Sequence, residues 1–178
     1  MPFEDAATRA LTWVSGSTDA DWDGLYVAQL PRVYNYLRFR LGNRADVEDL
    51  TARTFEKAWR ARRRYRRDLG TFTTWLLTIA RRVAIDYLRR QHEQVSIESL
   101  PDAPSAARTP EQDVELQSDA DRLAVLLSRL PAREREIVAL KYGAEMTNRD
   151  IAAVLGLSES NVGTILHRTV QVLRAEWH

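Results

Sequence analysis

Residues 147–166 read TNRDIAAVLGLSESNVGTIL, and this stretch decides the fold of the C-terminal part of the chain. Thr147-Asn148-Arg149-Asp150 has the spacing of a capping box, with Thr147 as the cap and Asp150 reaching back to it. A short helix from Asn148 to Leu155 follows, and Gly156 suits the left-handed conformation that ends such a helix. Ser158 then caps a longer helix to about residue 176. Its inward stripe is Val162, Ile165, Leu166, Thr169, Val170 and Leu173. Small residues near the crossing (Ala152, Ala153, Gly156) permit close helix contact. Two capped helices around a Gly-containing turn favour a helix-turn-helix over a generic αα-hairpin.

Working outward, Leu123, Leu126, Leu127 and Leu130 predict a helix over about 118–130, with Ser118 at its start and Pro131 as punctuation. Ile137, Val138 and Leu140 lie on a helix over about 132–142, closed by Gly143. Residues 92–117 contain Pro101, Pro104 and Pro110 with small and acidic residues and no amphipathic period, which reads as a linker. Before it, Trp22, Tyr26, Leu30, Val33, Leu37 and Leu41 predict a helix over 22–41 that Pro31 should kink or divide. Val47, Leu50, Thr54, Phe55, Ala58 and Trp59 form the apolar stripe of a helix over 44–61. The Arg run with Asp68-Leu69-Gly70 reads as a loop. Thr71, Thr73 or Thr74 caps a helix over 72–91 with core residues Leu76, Ile79, Ala80, Val83 and Tyr87. The expected fold class is all-α: two small helical domains, each with its own modest core, joined by a flexible linker. The expected divisions are a tail at 1–21, a first domain at 22–91, the linker at 92–117 and the helix-turn-helix domain at 118–178.

The 178 residues carry 26 Lys+Arg against 25 Asp+Glu, a formal net charge of +1 that conceals strong segregation. Residues 1–24 are net −4, residues 25–92 net +10, residues 93–122 net −6 and residues 123–178 net +1. Six of the eight residues from Arg60 to Arg67 are Arg, a cluster that favours a polyanion partner over a merely solvated surface. The acidic flanks limit promiscuous sticking. The absence of Cys excludes disulfides, thiolate metal sites and Cys nucleophiles, and three scattered His give no multi-His metal centre. No apolar run approaches a membrane span, and the acidic N-terminus lacks a signal peptide pattern, so a cytoplasmic protein without membrane insertion is expected. No nucleophile–base pair or carboxylate cluster supports an enzyme: Asp46, Glu48 and Asp49 are too close in sequence to share one face of a helix. No cofactor is expected.

Several motifs occur in a telling order. Ala45-Asp46-Val47-Glu48-Asp49-Leu50, followed by Thr54-Phe55-Glu56-Lys57-Ala58-Trp59-Arg60, resembles the core-polymerase-binding helix of bacterial sigma factors. Gly70-Thr71-Phe72-Thr73-Thr74-Trp75-Leu76, Ile79-Ala80-Arg81-Arg82 and Ile85-Asp86-Tyr87-Leu88-Arg89-Arg90 resemble their promoter-melting and −10-recognition segment. Leu130-Pro131-Ala132-Arg133-Glu134-Arg135-Glu136 and the helix-turn-helix resemble their −35-recognition domain. The chain thus resembles the extracytoplasmic-function (ECF) subgroup of the sigma-70 family over about residues 22–91 and 118–176.

The resemblance implies a sigma factor, without catalysis of its own, that lends promoter recognition and strand opening to RNA polymerase. Its implied partners are core polymerase (the β′ clamp helices and β flap), promoter DNA and an anti-sigma factor. Asp46, Glu48, Asp49, Arg53 and Glu56 would dock on polymerase. Arg63, Arg64, Tyr65, Arg66, Arg67, Phe72, Trp75, Arg81, Arg82, Arg89 and Arg90 would serve the −10 element, where cations neutralise phosphates and aromatics accept unstacked bases. A flipped base would be captured at the loop from Arg64 to Thr71. Trp75 reads equally well as core, and Asp86 as the structural partner of a neighbouring Arg. Ser158, Ser160, Asn161, Thr164, His167 and Arg168 would contact the −35 element, with Asn161 placed to read adenine edges. The sequence departs from the family pattern at Ala52-Arg53, at Arg82 and at Gly163-Thr164-Ile165. The last departure removes cations and implies a weaker, less salt-dependent −35 contact. The alternative is a dimeric helix-turn-helix transcriptional regulator acting without polymerase core binding.

Overall fold

The computed structural model describes residues 22–42, 44–98 and 119–177. The expected tail at 1–21, linker residues 99–117 and the Ser118 cap lie outside the described residues. The described elements are helical: α1 (Trp22–Leu41), α2 (Arg44–Ala61), two 3-10 turns (Arg62–Arg64 and Arg67–Leu69), α3 (Phe72–Glu98), α4 (Asp119–Arg129), α5 (Ala132–Val138), a π turn (Ala139–Gly143), α6 (Asn148–Leu155) and α7 (Glu159–Trp177).

Pro31 lies within α1 and does not divide it. Pro31 removes the hydrogen bond that the Val27 carbonyl would accept, and Val27 is 71% exposed, so water can replace the lost partner. Thr71 is the residue that caps α3: its hydroxyl accepts from the Thr74 N–H at 3.2 Å. α3 continues to Glu98, so residues 92–98, expected as the start of the linker, extend the helix instead. The Arg run, expected as an irregular loop, contains the two 3-10 turns.

α1 is the hub, packing against α2, α3, α4, α5 and the π turn. Its buried Val33, Tyr36 and Leu37 meet Val47, Leu50 and Phe55 of α2 and Leu76, Leu77, Ala80 and Val83 of α3. The same buried cluster continues into Leu127, Ile137, Leu140, Met146, Ile151, Val162 and Leu166. The expectation of two separate cores is therefore corrected: the C-terminal helices share one core with the N-terminal ones. Pattern reading assigns each helix a single inward face, whereas α1 is covered from two sides.

The expected helix over 132–142 ends in a π turn, in which the Ala144 N–H reaches back five residues to the Ala139 carbonyl at 3.0 Å. The turn brings Gly143 against α1. A Cβ there would lie 2.9 Å from the Asn35 carbonyl oxygen and 3.0 Å from the Tyr36 nitrogen. Two polar contacts reinforce the docking. Glu136 on α5, buried, accepts from Arg81 Nε on α3 at 3.0 Å and from the Tyr36 hydroxyl on α1 at 3.5 Å. Thr74 on α3 donates to Asp150 on α6 at 3.5 Å.

Within the N-terminal half, the Tyr87 hydroxyl of α3 donates to Asp46 of α2 at 2.6 Å and accepts from Gln91. Desolvation and the hydrogen bond to Asp46 push the Tyr87 phenol up to about 12, and burial followed by the charge of Glu136 pushes Tyr36 higher still.

Two predictions follow from this packing. Gly143→Ala places a methyl group against unyielding backbone and should separate the halves. Small-angle scattering should show a larger radius of gyration with the helical circular dichroism unchanged; an unchanged radius would show that the contact tolerates a side chain. The second concerns alkali. Both tyrosines have folded-state pKa values above the unfolded value of 10, so the native state holds their protons more tightly. Their stabilisation is complete below pH 10 and is lost as pH rises toward 12 and beyond. Urea midpoints should fall from pH 9.5 to 11.5, and Tyr87→Phe should flatten that fall.

Candidate nucleic-acid interface

The basic surface is built where α2 runs into the 3-10 turns. Arg63 and Arg64 are exposed on the first turn. Arg62 lies flat over the Trp59 ring, 3.7 Å from its centroid, and donates to the Trp59 carbonyl at 3.0 Å. That stacking lets Trp59, expected in the apolar stripe, remain 39% exposed. Arg66 forms a two-pronged pair with Asp68 at 2.6 and 3.2 Å, which holds the Asp68 carboxyl below the usual carboxylate range. The pair leaves Arg66 less charge to offer an external phosphate. Leu69, 76% exposed on the second turn, does not stand out in the sequence, because an apolar residue in a charged loop reads as filler. It is the apolar element of the surface, and its signal was its position between Asp68 and Gly70.

The aromatic residues form a ledge. Tyr65, Phe72 and Trp75 sit with ring centroids 5.4 Å apart, and Phe72 meets Trp22 at 6.0 Å. The Tyr65 hydroxyl donates to the Gly70 carbonyl at 3.2 Å, which closes the loop from Arg64 to Thr71. Burial raises the Tyr65 phenol, while the charge of Arg67 opposes the shift. All three rings are half-buried. They pack on one another at tilted and edge-to-face angles and do not stand free as stacking platforms.

The cations of α3 fall into different environments. Arg82 and Arg90 are exposed. Arg89 lies within 3.7 Å of Asp86 and 3.9 Å of Glu93, and Asp86 also faces Lys57 at 3.9 Å, in keeping with its structural reading. Arg81 is turned into the contact with Glu136 and does not face the same solvent as Arg82.

The residues expected to dock on polymerase line α2. Glu48, Asp49, Arg53 and Glu56 are exposed, and Glu56 pairs with Arg60 one turn on at 2.6 Å. Asp46 is half-buried and holds Tyr87, so it braces α2 against α3.

In the C-terminal half the expected caps form. The Thr147 hydroxyl accepts from the Asp150 N–H at 3.2 Å and donates to the Asp150 carboxylate at 2.6 Å. Gly156 has φ 67° and ends α6 in the left-handed conformation. Ser158 accepts from the Asn161 N–H at 3.2 Å and caps α7. The first turns of α7 expose Ser160, Asn161 and Thr164, with His167 and Arg168 a turn further on. Thr164 donates to the Ser160 carbonyl at 3.1 Å, leaving its oxygen as an acceptor. Glu159 lies 3.7 Å from Arg149 of α6, so neither charge is lone. The amide of Asn161 stands free on the surface that a major groove would meet.

Comparison with known proteins fits this geometry. The sigma-70 region 2 profile matches residues 25–94, and the sigma-70 region 4 profile matches residues 120–173. The chain is 35% identical to the ECF RNA polymerase sigma factor SigE of Mycolicibacterium smegmatis, an alignment covering 97% of this chain and 68% of that one. It is 31% identical to the ECF RNA polymerase sigma factor BldN of Streptomyces coelicolor (89% of this chain) and 33% identical to the RNA polymerase sigma factor CarQ of Myxococcus xanthus (89% of this chain, 90% of that one). The chain spans 61% of the length of BldN. Two solved structures share the fold: the sigma factor RpoE in complex with the anti-sigma factor NepR from Bartonella quintana (TM-score 0.71, 22% identity, 87% of this chain and 95% of that one) and CnrH in complex with the cytosolic domain of CnrY (TM-score 0.66, 23% identity, 97% and 94%). With both family regions matched in order around this helix-turn-helix and basic ledge, the chain belongs to the sigma-70 family, in its extracytoplasmic-function group of non-enzymatic transcription initiation factors.

Proposed function

We propose that residues 22–98 hold the polymerase-binding and −10 functions of this sigma factor and that residues 119–177 hold the −35 function. The observation that carries this reading is the juxtaposition on one short helical path of an exposed charged face (Glu48, Asp49, Arg53) and the Arg-rich aromatic ledge. One docks on a protein surface by charge complementarity; the other receives a melted strand as polymerase opens the duplex. Arg63, Arg64 and Arg67 neutralise phosphates. The exposed Leu69 and the ledge of Tyr65, Phe72 and Trp75 receive an extruded base. Arg82, Arg89 and Arg90 follow the upstream strand.

The dimeric-regulator reading is not favoured, because it leaves the family match over residues 25–94 without a role. Among the described residues no helix is long and apolar enough to cross a membrane. The site of action is the cytoplasm, where polymerase meets DNA. An anti-sigma factor is the proposed regulatory partner.

Elements centred at −10 and −35 are separated by about 25 base pairs, or ~85 Å at about 3.4 Å per pair. Thr74, at the head of the −10 helix, lies 3.5 Å from Asp150 of the helix-turn-helix. The nineteen residues of α7 span only about 28 Å. Both surfaces therefore reach their elements only after α5–α7 leave α1 and α3. The packed arrangement is a resting state.

Transcription reconstituted with core polymerase and a randomised promoter pool tests the assignment. The chain should select start sites with two enriched blocks, and no start-site selection would overturn the reading. Charge reversal of Arg63, Arg64 and Arg67 to Glu should reduce open-complex formation at least tenfold more than polymerase affinity. Asn161→Ala should relax the upstream block at one or two positions, a discrimination of about 1–3 kcal/mol; an unchanged profile would remove Asn161 as a base reader. Asp46→Asn should lower stability and spare polymerase affinity, whereas Asp49→Lys should do the reverse.

A further inference from the structure

The last turns of α1 and α5 carry two guanidinium groups, Arg40 and Arg135, to which the promoter reading gives no role. Arg40 is 8% exposed, and its Nε is buried with no hydrogen-bond partner among the described residues. Arg135 is anchored, donating to the Leu130 carbonyl at 3.0 Å and to the Ser128 carbonyl, yet its Nε is likewise buried and without a partner. Burial, and after it the charge of Arg40, holds the Arg135 guanidinium below its ordinary value. The two like charges thus stand within electrostatic reach of each other. Arg40 thus brings a buried cation, and Arg135 a half-buried one, to the wall of one space, an arrangement that an anion there would stabilise.

That space is a cleft of about 650 Å³ between α1, α4 and α5. Besides Arg40 and Arg135 its wall includes Arg38, Tyr34, Phe39, Leu41, Leu123 and Leu127, and among the described residues no carboxylate lines it. The neighbouring acid in sequence, Glu136, is turned to the other side, onto Arg81 and Tyr36.

We propose that this cleft is an oxyanion site that takes a phosphate monoester of nucleotide size and that the ligand clamps the two halves of the chain together. A carboxylate would cancel one of the two charges, whereas a phosphate monoester carries about −1.5 to −2 and cancels both. Guanidinium forks match phosphate oxygens in geometry as well as charge. The volume exceeds what a bare phosphate fills and lies within the range of small-molecule sites. Tyr34, Phe39 and the leucines offer an apolar wall to the organic part. Arg40 belongs to the −10 half and Arg135 to the −35 half, so a ligand held by both binds the closed arrangement alone and stabilises it by linkage. The clamp rests on the resting-state reading given above; the binding site does not.

The full chain, purified in phosphate-free buffer, tests the proposal by calorimetric titration and thermal melting with inorganic phosphate, adenosine 5′-monophosphate and adenosine. The monophosphate should bind, adenosine should not, and the ratio of the monophosphate to inorganic phosphate measures what the apolar wall adds. Arg40→Met keeps the volume and removes the charge. It should weaken monophosphate binding by about tenfold or more and, by removing an unpaired buried cation, should raise the melting temperature without ligand. A misfolded variant could not give that pair of results. Equal binding by wild type and Arg40→Met would overturn the site, as would the absence of binding by both phosphate probes at 5 mM. Melting gains common to both proteins report general salt exclusion and are subtracted. For the clamp, the monophosphate should return the expanded Gly143→Ala protein toward the compact radius. Binding to wild type without that compaction would overturn the clamp and leave the oxyanion site standing.

Discussion

A buried carboxylate must be paired, and the position of the C-terminal half depends on how Glu136 meets that demand. Its oxygen takes the Arg81 guanidinium and the Tyr36 hydroxyl, one from each of the two long helices of the N-terminal half. Removing one partner of such a buried pair costs about 3–5 kcal/mol, because the other charge is left without compensation. The contact is therefore specific: α5 can sit on α1 and α3 in few other registers without stranding Glu136. The price is functional. Arg81, a member of the cation row that the −10 reading uses, is withdrawn from DNA for as long as Glu136 holds it. The side chain that fixes the resting packing is thus one that promoter binding would have to release.

The charge distribution gives the same logic at longer range. The segment at net +10 includes the exposed Arg63, Arg64, Arg82 and Arg90, while the helix-turn-helix half, at net +1, has almost no field of its own. Nonspecific DNA affinity rises with the number of phosphates neutralised, so on the proposed −35 assignment this half would bind weakly when alone. Its caps and its free Asn161 provide shape and, on the proposed reading, a base contact, but little charge. Recognition then depends on being held in place by a larger body, which fits a subunit of polymerase better than an autonomous regulator.

Helix ends and local caps were legible in the sequence because they are local. Thr147, Gly156 and Ser158 act on backbone groups within four residues of themselves, and each does what its spacing implies. The inward stripes of α2 and α3 were legible for the same reason. The docking of the halves was not. It uses charged residues, Arg81 and Glu136, in places where a pattern reading puts solvent. It also uses a π turn, whose extra residue per hydrogen bond no hydrophobic period announces. Gly143 reads as a helix terminator; its larger role, close approach to the Asn35 backbone, depends on a helix more than a hundred residues earlier in the chain. Within the candidate site, Asp46 illustrates the same limit. Its helix position suggests an outward acid, but Tyr87, from the following helix, turns it into a brace.

The closed arrangement has to be held by a modest free-energy difference. A preference of about 2–3 kcal/mol already keeps well over nine-tenths of molecules closed, and a partner that favours the open form must offset that amount before any net binding is seen. The contacts across the halves divide in a way that suits so small a balance. Apolar burial around Tyr36 and the pairing of Glu136 favour closure, whereas the like charges of Arg40 and Arg135, brought to one cleft, oppose it. A surface optimised for closure would not retain that repulsion at the contact. Its presence makes closure sensitive to whatever neutralises those charges, and an equilibrium built from opposed terms of similar size can be moved by a single small ligand or a single protein contact.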